Sequence, residues 1–328
     1  MTKKDNNTIK GKHILVTGGA GFIGSHLVDT LLELGVASIA VVDNFFLGKE
    51  SNLITARKHG DRLSVYREDA GEFTAMAAIV ESEQPDIIFN LATKALLYSF
   101  INPAGACRVN VDIAITLGEL LRKGAYGRLI HCSTSEVFGS ALTVPMDEYH
   151  PLKPETSYAA GKAAADLLLQ SYVNMFDLDI MVIRPFNNYG PRQNTQALGA
   201  VVPVTIRRIL DGKAPILQGD GQQTRDYIYV GDTVNGFIQL AMKDGMKGKD
   251  LNLGSGKETT VNEIINTICE LMGYEGEIIK EPARPADVLR HCANTSAVES
   301  IIGKVSKTPL KEGLKITVDW IRNTEGMT

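Results

Sequence analysis

The segment that most constrains the fold lies near the start of the chain, where an apolar run leads into a glycine-rich turn. Residues 13–17 are followed by Gly18, Gly21 and Gly24, by an amphipathic stretch over 25–34, and by a second apolar run over 38–42 that ends at Asp43. Strand, glycine turn, helix, strand and acid form the context that a dinucleotide fingerprint requires. The glycines allow close approach of a pyrophosphate to the helix N-terminus. We therefore predict a dinucleotide site, and Asp43 favours NAD over NADP because it accepts from the adenosine 2′-hydroxyl and repels a 2′-phosphate.

The same alternation continues along the chain. Further apolar runs over 63–66, 85–92, 128–132, 179–184 and 250–253 are separated by helical stretches. Strands with near-continuous apolar runs that alternate with helices predict an α/β fold with a doubly wound parallel (Rossmann) sheet. The character changes after residue 184, where two prolines and a glycine mark a loop. We expect an NAD-binding domain over 1–184 plus about 229–258. A smaller α/β substrate-binding lobe is expected over about 185–228 plus 259–328.

Two groups of polar residues near the fifth apolar run carry the candidate chemistry. Tyr158 and Lys162 lie four residues apart, on one helical face. A tyrosine titrates near ~10, and a neighbouring ammonium lowers that pKa. Thr134, Ser135 and Glu136 follow the fifth strand, and ligands bind at the carboxyl ends of such strands. We therefore predict an acid/base site for a hydroxyl that loses its proton as its carbon loses hydride.

Composition excludes several other classes of protein. The 328-residue chain has 44% hydrophobic residues and a net charge of -4, which argues against nucleic-acid binding. Neither a signal peptide nor an apolar run near 18 residues is evident, so we expect no membrane association and a cytoplasmic location. The four cysteines and six histidines are scattered without ligand spacing, so no metal site is expected.

The glycine spacing after Thr17, together with Tyr158 and Lys162, resembles the extended branch of the short-chain dehydrogenase/reductase superfamily. This branch contains nucleotide-sugar epimerases, dehydratases and decarboxylases, and the resemblance runs from about residue 11 to the C-terminus. It implies NAD as cofactor, with Tyr158 and Lys162 also contacting it. The further positions implied to line the cofactor are Phe22, Ile23, Asn44, Asp69, Ala70, Leu91 and Ala92. The alternative for Asp69 is that it is a turn residue with no role in cofactor binding.

The resemblance also implies a nucleotide-diphosphate sugar as the substrate. Asn187 lies in an Arg-Pro-Phe-Asn-x-Tyr-Gly-Pro loop and Arg225 in a Gln-x-Arg segment, so both are implied to bind the diphosphate. Arg284 is a further candidate, since the planar guanidinium matches two phosphate oxygens. Two alternatives stay open for Lys94: it binds a phosphate or carboxylate group of the substrate, or it is a surface residue. The helices over 104–122 and 157–176 are implied to form the four-helix bundle of a homodimer, with a monomer as the alternative.

The run Thr134-Ser135-Glu136 most resembles the nucleotide-sugar 4,6-dehydratases. In the implied reaction, Tyr158 accepts the C4 hydroxyl proton, Glu136 removes the C5 proton, water leaves from C6, and the hydride returns to C6. The alternatives are a UDP-glucuronate decarboxylase, a C4-epimerase and, in another class, a non-catalytic NAD-binding protein, which would be expected to lack these residues. The substrate is expected to be UDP-linked N-acetylhexosamine, although the same residues would serve other sugars.

Overall fold

The structure, a computed structural model, describes residues 8–195, 199–283 and 288–325. The chain divides into two compact units. The first comprises Met1–Thr134, Ser157–Arg184 and Val234–Leu251, and the second comprises Ser135–Thr156, Pro185–Thr233 and Asn252–Thr328. The sequence-based division differs mainly over Ser135–Thr156, which it assigned to the NAD-binding domain, and its boundaries stay a prediction.

The strands are β1 His13–Thr17, β2 Ser38–Val42, β3 Leu63–Tyr66, β4 Ile87–Asn90, β5 Arg128–Cys132, β6 Ile180–Pro185, β7 Asn187–Tyr189, β8 Ile216–Gln218, β9 Thr224–Arg225, β10 Tyr227–Tyr229, β11 Asp250–Leu253, β12 Thr259–Thr260 and β13 Ile279–Glu281. Seven of these strands form the central sheet. Its order is β3–β2–β1–β4–β5–β6–β11, and every ladder from β3 through to β6 is parallel. The strand order reverses between β1 and β4, which is where ligands bind in such sheets. This confirms the predicted doubly wound α/β architecture.

Two of the helices begin at residues whose side chains cap them. The Asn102 side chain accepts from Gly105 N, and a proline occupies the first position of the helix that follows. Thr260 caps a second helix in the same way, and Gly273 ends that helix in the left-handed conformation. The helices are α1 Phe22–Glu33, α2 Ile54–Arg57, α3 Phe73–Glu83, α4 Pro103–Arg122, α5 Ser157–Phe176, α6 Val201–Leu210, α7 Val230–Ala241, α8 Val261–Met272, α9 Ser296–Ile302 and α10 Leu310–Glu325, with short 3-10 helices at Glu50–Leu53, Gly60–Arg62, Leu96–Phe100 and Ser135–Phe138.

Each unit has its own apolar core. In the first unit, α3, α4 and α5 cover one face of the sheet through residues such as Leu15, Leu117 and Leu169, all of which are fully buried. In the second unit, α6, α8 and α10 pack together around Ile206 and Ile268. Burying such side chains contributes about 1.5–3 kcal/mol each, and this burial holds the elements that carry the site.

Two predicted boundaries differ from the structure for local reasons. The first helix begins at Phe22 rather than residue 25, because the backbone N–H of Ser25 already donates to Gly21 O at 3.1 Å. The fourth strand covers Ile87–Asn90 rather than 85–92. Pro85 has no N–H to donate to a ladder, and after Leu91 the chain turns so that Ala92 N donates to the Thr17 side chain instead.

Candidate active site

The turn between β1 and α1 has no room for a side chain at Gly18 or Gly24. Gly18 has a φ of +68°, and a Cβ there would lie 2.7 Å from Ala92 N. A Cβ on Gly24 would lie 2.2 Å from Gly18 O. The helix that follows has no acidic residue in its first turn, and its N-cap, Gly21, makes no side-chain capping bond. The backbone N–H groups at this helix N-terminus are therefore suited to a pyrophosphate, as the predicted cofactor requires.

Three of the predicted cofactor residues are brought together at the ends of β2 and β3. Asp43 is buried and accepts hydrogen bonds from Ala20 N at 2.9 Å and Phe45 N at 2.8 Å. Burial raises its pKa, and the two backbone bonds oppose that shift. The Asn44 amide donates to Asp69 at 3.0 Å. Because a carboxylate can accept about four hydrogen bonds, Asp43 keeps capacity for ribose hydroxyls, and the residues present fit NAD.

The helix α5 carries the predicted acid/base pair. The backbone N–H of Tyr158 donates to Ser99 Oγ at 2.9 Å, which fixes the start of the helix. One turn later, Lys162 is buried and its ammonium donates to Cys132 O at 2.8 Å. Burial lowers the Lys162 pKa, and the neighbouring Asp166 carboxyl opposes this shift. Thr134, two residues beyond β5, is also buried in this unit.

A further turn along α5 lies a buried charge cluster that sequence reasoning missed. Asp166 Oδ2 accepts from Ser133 Oγ and from Arg184 Nε, both at 2.9 Å. Arg184 also donates to Asp250 at 2.6 Å. Burial raises the Asp166 pKa to about 6, and the Arg184 charge is the largest opposing effect. The spacing of Tyr158, Lys162 and Asp166 by four residues was the signal that could have identified this carboxylate.

The predicted residues Ser135 and Glu136 begin a 3-10 helix in the second unit. Ser135 is 2% exposed, and its Oγ lies 3.4 Å from Nδ1 of His291. The other ring nitrogen of His291 lies 2.8 Å from Gly139 O. Glu136 is partly exposed, and its carbonyl accepts from Gly139 N at 3.1 Å. Nothing in the sequence pointed to His291, which is more than 150 residues from Ser135.

The predicted substrate residues have different surroundings. Lys94 places its ammonium 3.4 Å from the centroid of the Phe46 ring. Desolvation lowers the Lys94 pKa, while the charges of Asp69 and Asp43 act to raise it. Lys94 therefore interacts electrostatically with the two carboxylates that are predicted to bind the adenosine of the cofactor. In the second unit, Asn187 N donates to Asp226 O at 2.9 Å, next to the buried Arg225. Arg284 lies outside the described residues.

The described part of the chain contains no group of three histidine, cysteine or acidic residues able to hold a metal. It also contains no helix long and apolar enough to cross a membrane. The predicted roles of the individual site residues stay predictions.

Comparison with known proteins decides the family. The family model described as GDP-mannose 4,6 dehydratase matches residues 15–317. The chain belongs to that family. Within the extended short-chain dehydrogenase/reductase superfamily, this confirms the resemblance drawn from the glycine turn and the Tyr158–Lys162 pair.

Relatives of this family member carry out three different reactions. UDP-glucuronic acid decarboxylase 6 of Arabidopsis thaliana is 35% identical over 311 residues, which cover 92% of this chain and 87% of the relative. A solved UDP-glucose 4-epimerase from Thermotoga maritima, with UDP-glucose, has a TM-score of 0.89 and 33% identity, covering 95% of this chain and 99% of that one. A dTDP-glucose 4,6-dehydratase double mutant from Streptomyces venezuelae, with NAD bound, has a TM-score of 0.90 and 29% identity, covering 96% and 98%.

The glycine turn generates a test of cofactor binding. We expect Gly24→Ala to weaken NAD binding by at least about tenfold, or ~1.4 kcal/mol, because the new Cβ would displace the backbone at Gly18. Titration calorimetry at a temperature where the variant is folded measures this. Gly212→Ala is the control: its φ is +68° but no described atom lies within 4 Å of the added Cβ, so it should cost stability of about 1 kcal/mol and leave NAD affinity unchanged. Unchanged affinity in the Gly24 variant would contradict this account.

The buried cluster generates a pH-dependent prediction. Arg184→Met removes the charge that holds the Asp166 pKa down, so that pKa rises further. A carboxyl whose folded pKa is raised loses stability as pH increases through that pKa. The free energy of unfolding of the variant relative to the unsubstituted protein should therefore fall between pH 5 and pH 8, by at most about 1.4 kcal/mol per pH unit.

Urea unfolding at a series of pH values measures this effect. Arg128→Met is the matched control, since its partner Asp179 is 30% exposed and the pair is only partly buried. The Arg128 variant should lose roughly 0–1 kcal/mol of unfolding free energy, and this loss should change little across the same pH range. Equal pH dependence in the two variants would show that burial of Asp166 is not the cause.

Proposed function

We propose that this chain is an NAD-dependent nucleotide-sugar 4,6-dehydratase. Its relatives are named for reactions of nucleotide sugars, which supports a nucleotide-sugar enzyme. The observation that supports a dehydratase is the carboxylate of Glu136. It directly follows Thr134 and Ser135 at the end of β5, and it is a base separate from the Tyr158–Lys162 pair. A reaction that removes a second proton needs such a base.

The cofactor is NAD, and the chemistry that it supplies when bound is hydride transfer, out of C4 and back to C6 of the sugar. The chain's own residues move the protons. Tyr158 Oη takes the C4 hydroxyl proton, and the Lys162 ammonium favours the phenolate that does so. The hydroxyl of Thr134 hydrogen-bonds the C4 oxygen. Because the C4 ketone acidifies the C5 proton, the Glu136 carboxylate can remove it as a general base, after which water leaves from C6.

The substrate that we propose is a UDP-linked N-acetylhexosamine. The diphosphate is bound by Arg225 and Asn187, with Arg284 and Lys94 as further candidate ligands. Arg225 is 8% exposed, and a partly desolvated guanidinium binds phosphate oxygens more strongly than a solvated one does. The Asn187 amide nitrogen is the atom that would donate to the diphosphate. Its Oδ1 atom is buried without a hydrogen-bond partner among the described residues, so it can accept from a hydroxyl or N–H group of the ligand.

A second candidate reaction is decarboxylation of a UDP-uronate. The observation that favours it is the 35% identity to a plant UDP-glucuronic acid decarboxylase over most of both chains. In that reaction, oxidation at C4 would labilise a carboxylate on C5, and Lys94 or an arginine would bind the carboxylate. C4-epimerisation, the activity named for other relatives, would need no carboxylate at position 136.

Incubation with UDP-, dTDP- and GDP-linked sugars, followed by mass spectrometry of the product, separates these reactions. We expect a UDP-N-acetylhexosamine to lose one water. Loss of carbon dioxide from a UDP-uronate would instead identify a decarboxylase, and an unchanged mass with inversion at C4 would identify an epimerase.

Glu136→Gln should reduce the rate of water loss by at least about a hundredfold, because glutamine cannot remove the C5 proton. Glu155→Gln is the control, since glutamine keeps an oxygen to accept from Ser140 N and should retain activity.

We also propose that the chain forms a homodimer through α4 and α5. These helices pack on each other, yet Ile115, Leu167 and Met175 remain 42%, 62% and 69% exposed. Exposed apolar residues grouped on one pair of helices are typical of an interaction surface.

Leu167→Glu should convert the dimer to a monomer, because a charge buried at the interface costs several kcal/mol. Light scattering after size-exclusion chromatography gives the mass. Leu142→Glu changes a leucine that is also exposed, at 60%, but lies in the second unit, so it should leave the dimer intact. A dimer that survives the Leu167 substitution would place the interface elsewhere.

A further inference from the structure

His291 contacts both ends of the short turn that carries Glu136. Its Nδ1 lies 3.4 Å from Ser135 Oγ, at the start of the turn, and its Nε2 lies 2.8 Å from Gly139 O, at the end. The turn is closed by a hydrogen bond from Gly139 N to Glu136 O at 3.1 Å. One imidazole therefore contacts the residue just before Glu136 and the residue whose N–H bonds to the Glu136 carbonyl.

The imidazole is itself held firmly. His291 is fully buried, and its backbone N–H donates to Thr224 O at 3.2 Å. The Phe186 ring packs edge-on against it, with centroids 5.8 Å apart. Gly139 has little freedom to move, because a Cβ there would lie 2.1 Å from Lys153 O. The ring position is thus defined from several directions within the second unit.

The protonation of the ring follows from its partners. A carbonyl oxygen only accepts hydrogen bonds, so Nε2 carries the proton that is donated to Gly139 O. Desolvation lowers the His291 pKa to about 4; the bond to Gly139 opposes this shift, and the charges of Arg225 and His150 reinforce it. The imidazole is therefore neutral near pH 7, and Nδ1 is the unprotonated nitrogen, whose lone pair accepts hydrogen bonds. The Ser135 hydroxyl must be the donor in its contact with Nδ1.

We propose that His291 is a positioning residue that engages the Ser135 proton, so that Ser135 offers only acceptor oxygen to a substrate and the proton for the leaving hydroxyl comes from Glu136. The inference rests on the dehydratase function proposed above. It assigns the acid of the elimination step, which that function leaves open among Ser135, Glu136 and water.

The step balances without a further reactant. The C5–H bond breaks, and its proton passes to a Glu136 carboxylate oxygen while its electron pair forms the C5–C6 double bond. The C6–O bond breaks, its electron pair stays with oxygen, and the Glu136 proton joins that oxygen to give water. Glu136 ends as the carboxylate, as it began.

The first test examines the imidazole without any substrate. Nitrogen-15 NMR of the full chain, with the His291 signal assigned by its loss in His291→Asn, should show a neutral ring protonated at Nε2 from pH 5.5 to pH 8. A ring protonated at Nδ1 would leave the Ser135 proton unengaged and would overturn the proposal. This result does not depend on which reaction the enzyme catalyses.

The second test compares two rates in Ser135→Ala: deuterium exchange at C5 and loss of water. If Glu136 is both base and acid, removing the serine should slow both rates by the same factor, about tenfold, because the turn is loosened. If Ser135 is the acid, water loss should fall by about 10² to 10⁴ while exchange continues, which would overturn the proposal. If the unsubstituted enzyme removes water from no nucleotide sugar, the proposed function fails instead, and the NMR result still stands.

The third test examines His291 through two substitutions. Asn can present an oxygen where Nδ1 lies and so accept from Ser135, whereas His291→Phe keeps the packing against Phe186 but accepts nothing. We expect the Asn variant to retain at least about tenfold more kcat than the Phe variant, at similar KM, when both bind NAD and unfold at similar temperatures. Equal kcat in the two variants would show that activity does not depend on an acceptor for the Ser135 hydroxyl at position 291, and would contradict the proposed role of His291.

Discussion

A row of buried hydrogen bonds crosses the carboxyl ends of β1, β4 and β5, and both the cofactor turn and the acid/base helix rest against it. The strand register places Thr17 beside Asn90 and Asn90 beside His131. The Thr17 hydroxyl donates to Asn90 Oδ1 at 2.7 Å, and the Asn90 amide lies 2.9 Å from His131 Nδ1. Since the amide nitrogen can only donate, His131 accepts at Nδ1, and its Nε2–H is directed towards Asp166 at 3.7 Å.

This row connects the glycine turn with the helix that carries the predicted acid/base pair. At one end, Thr17 Oγ1 also accepts from Ala92 N, which holds the end of β4 against the glycine turn. At the other end, Asp166 lies one helical turn from Lys162 and binds Ser133 and Arg184. Burial lowers the His131 pKa well below its usual value, with the charges of Lys162 and Arg184 adding to the effect. A neutral histidine therefore lies between Asn90 and Asp166 without adding a buried charge.

What could be predicted from the sequence was local or periodic. The glycine turn, the position of Asp43 and the four-residue spacing of Tyr158 and Lys162 are all visible within short windows, and alternating apolar runs were enough for the sheet. His291 was not predictable, because its role comes from contacts with a turn that lies more than 150 residues away. The same holds for the Arg184–Asp250 pair, and for Lys94, whose partner Phe46 comes from a different strand end. Contacts between single polar residues that are far apart in the chain leave no pattern within a short stretch of sequence, so they could not be predicted from it.

The relatives are named as epimerases, decarboxylases and dehydratases of nucleotide sugars. In the mechanism that we propose, oxidation at C4 gives a transient ketone, and the groups around C5 and C6 would determine which of these reactions follows. In the reaction that we propose, the group that acts on this ketone is the Glu136 carboxylate, which lies at the start of the Ser135–Phe138 3-10 helix. The most direct measurement is the fate of deuterium placed at C4 of a UDP-N-acetylhexosamine. We expect a dehydrated product that carries the deuterium at C6. A product that retains the deuterium at C4, with no label at C6, would contradict this mechanism.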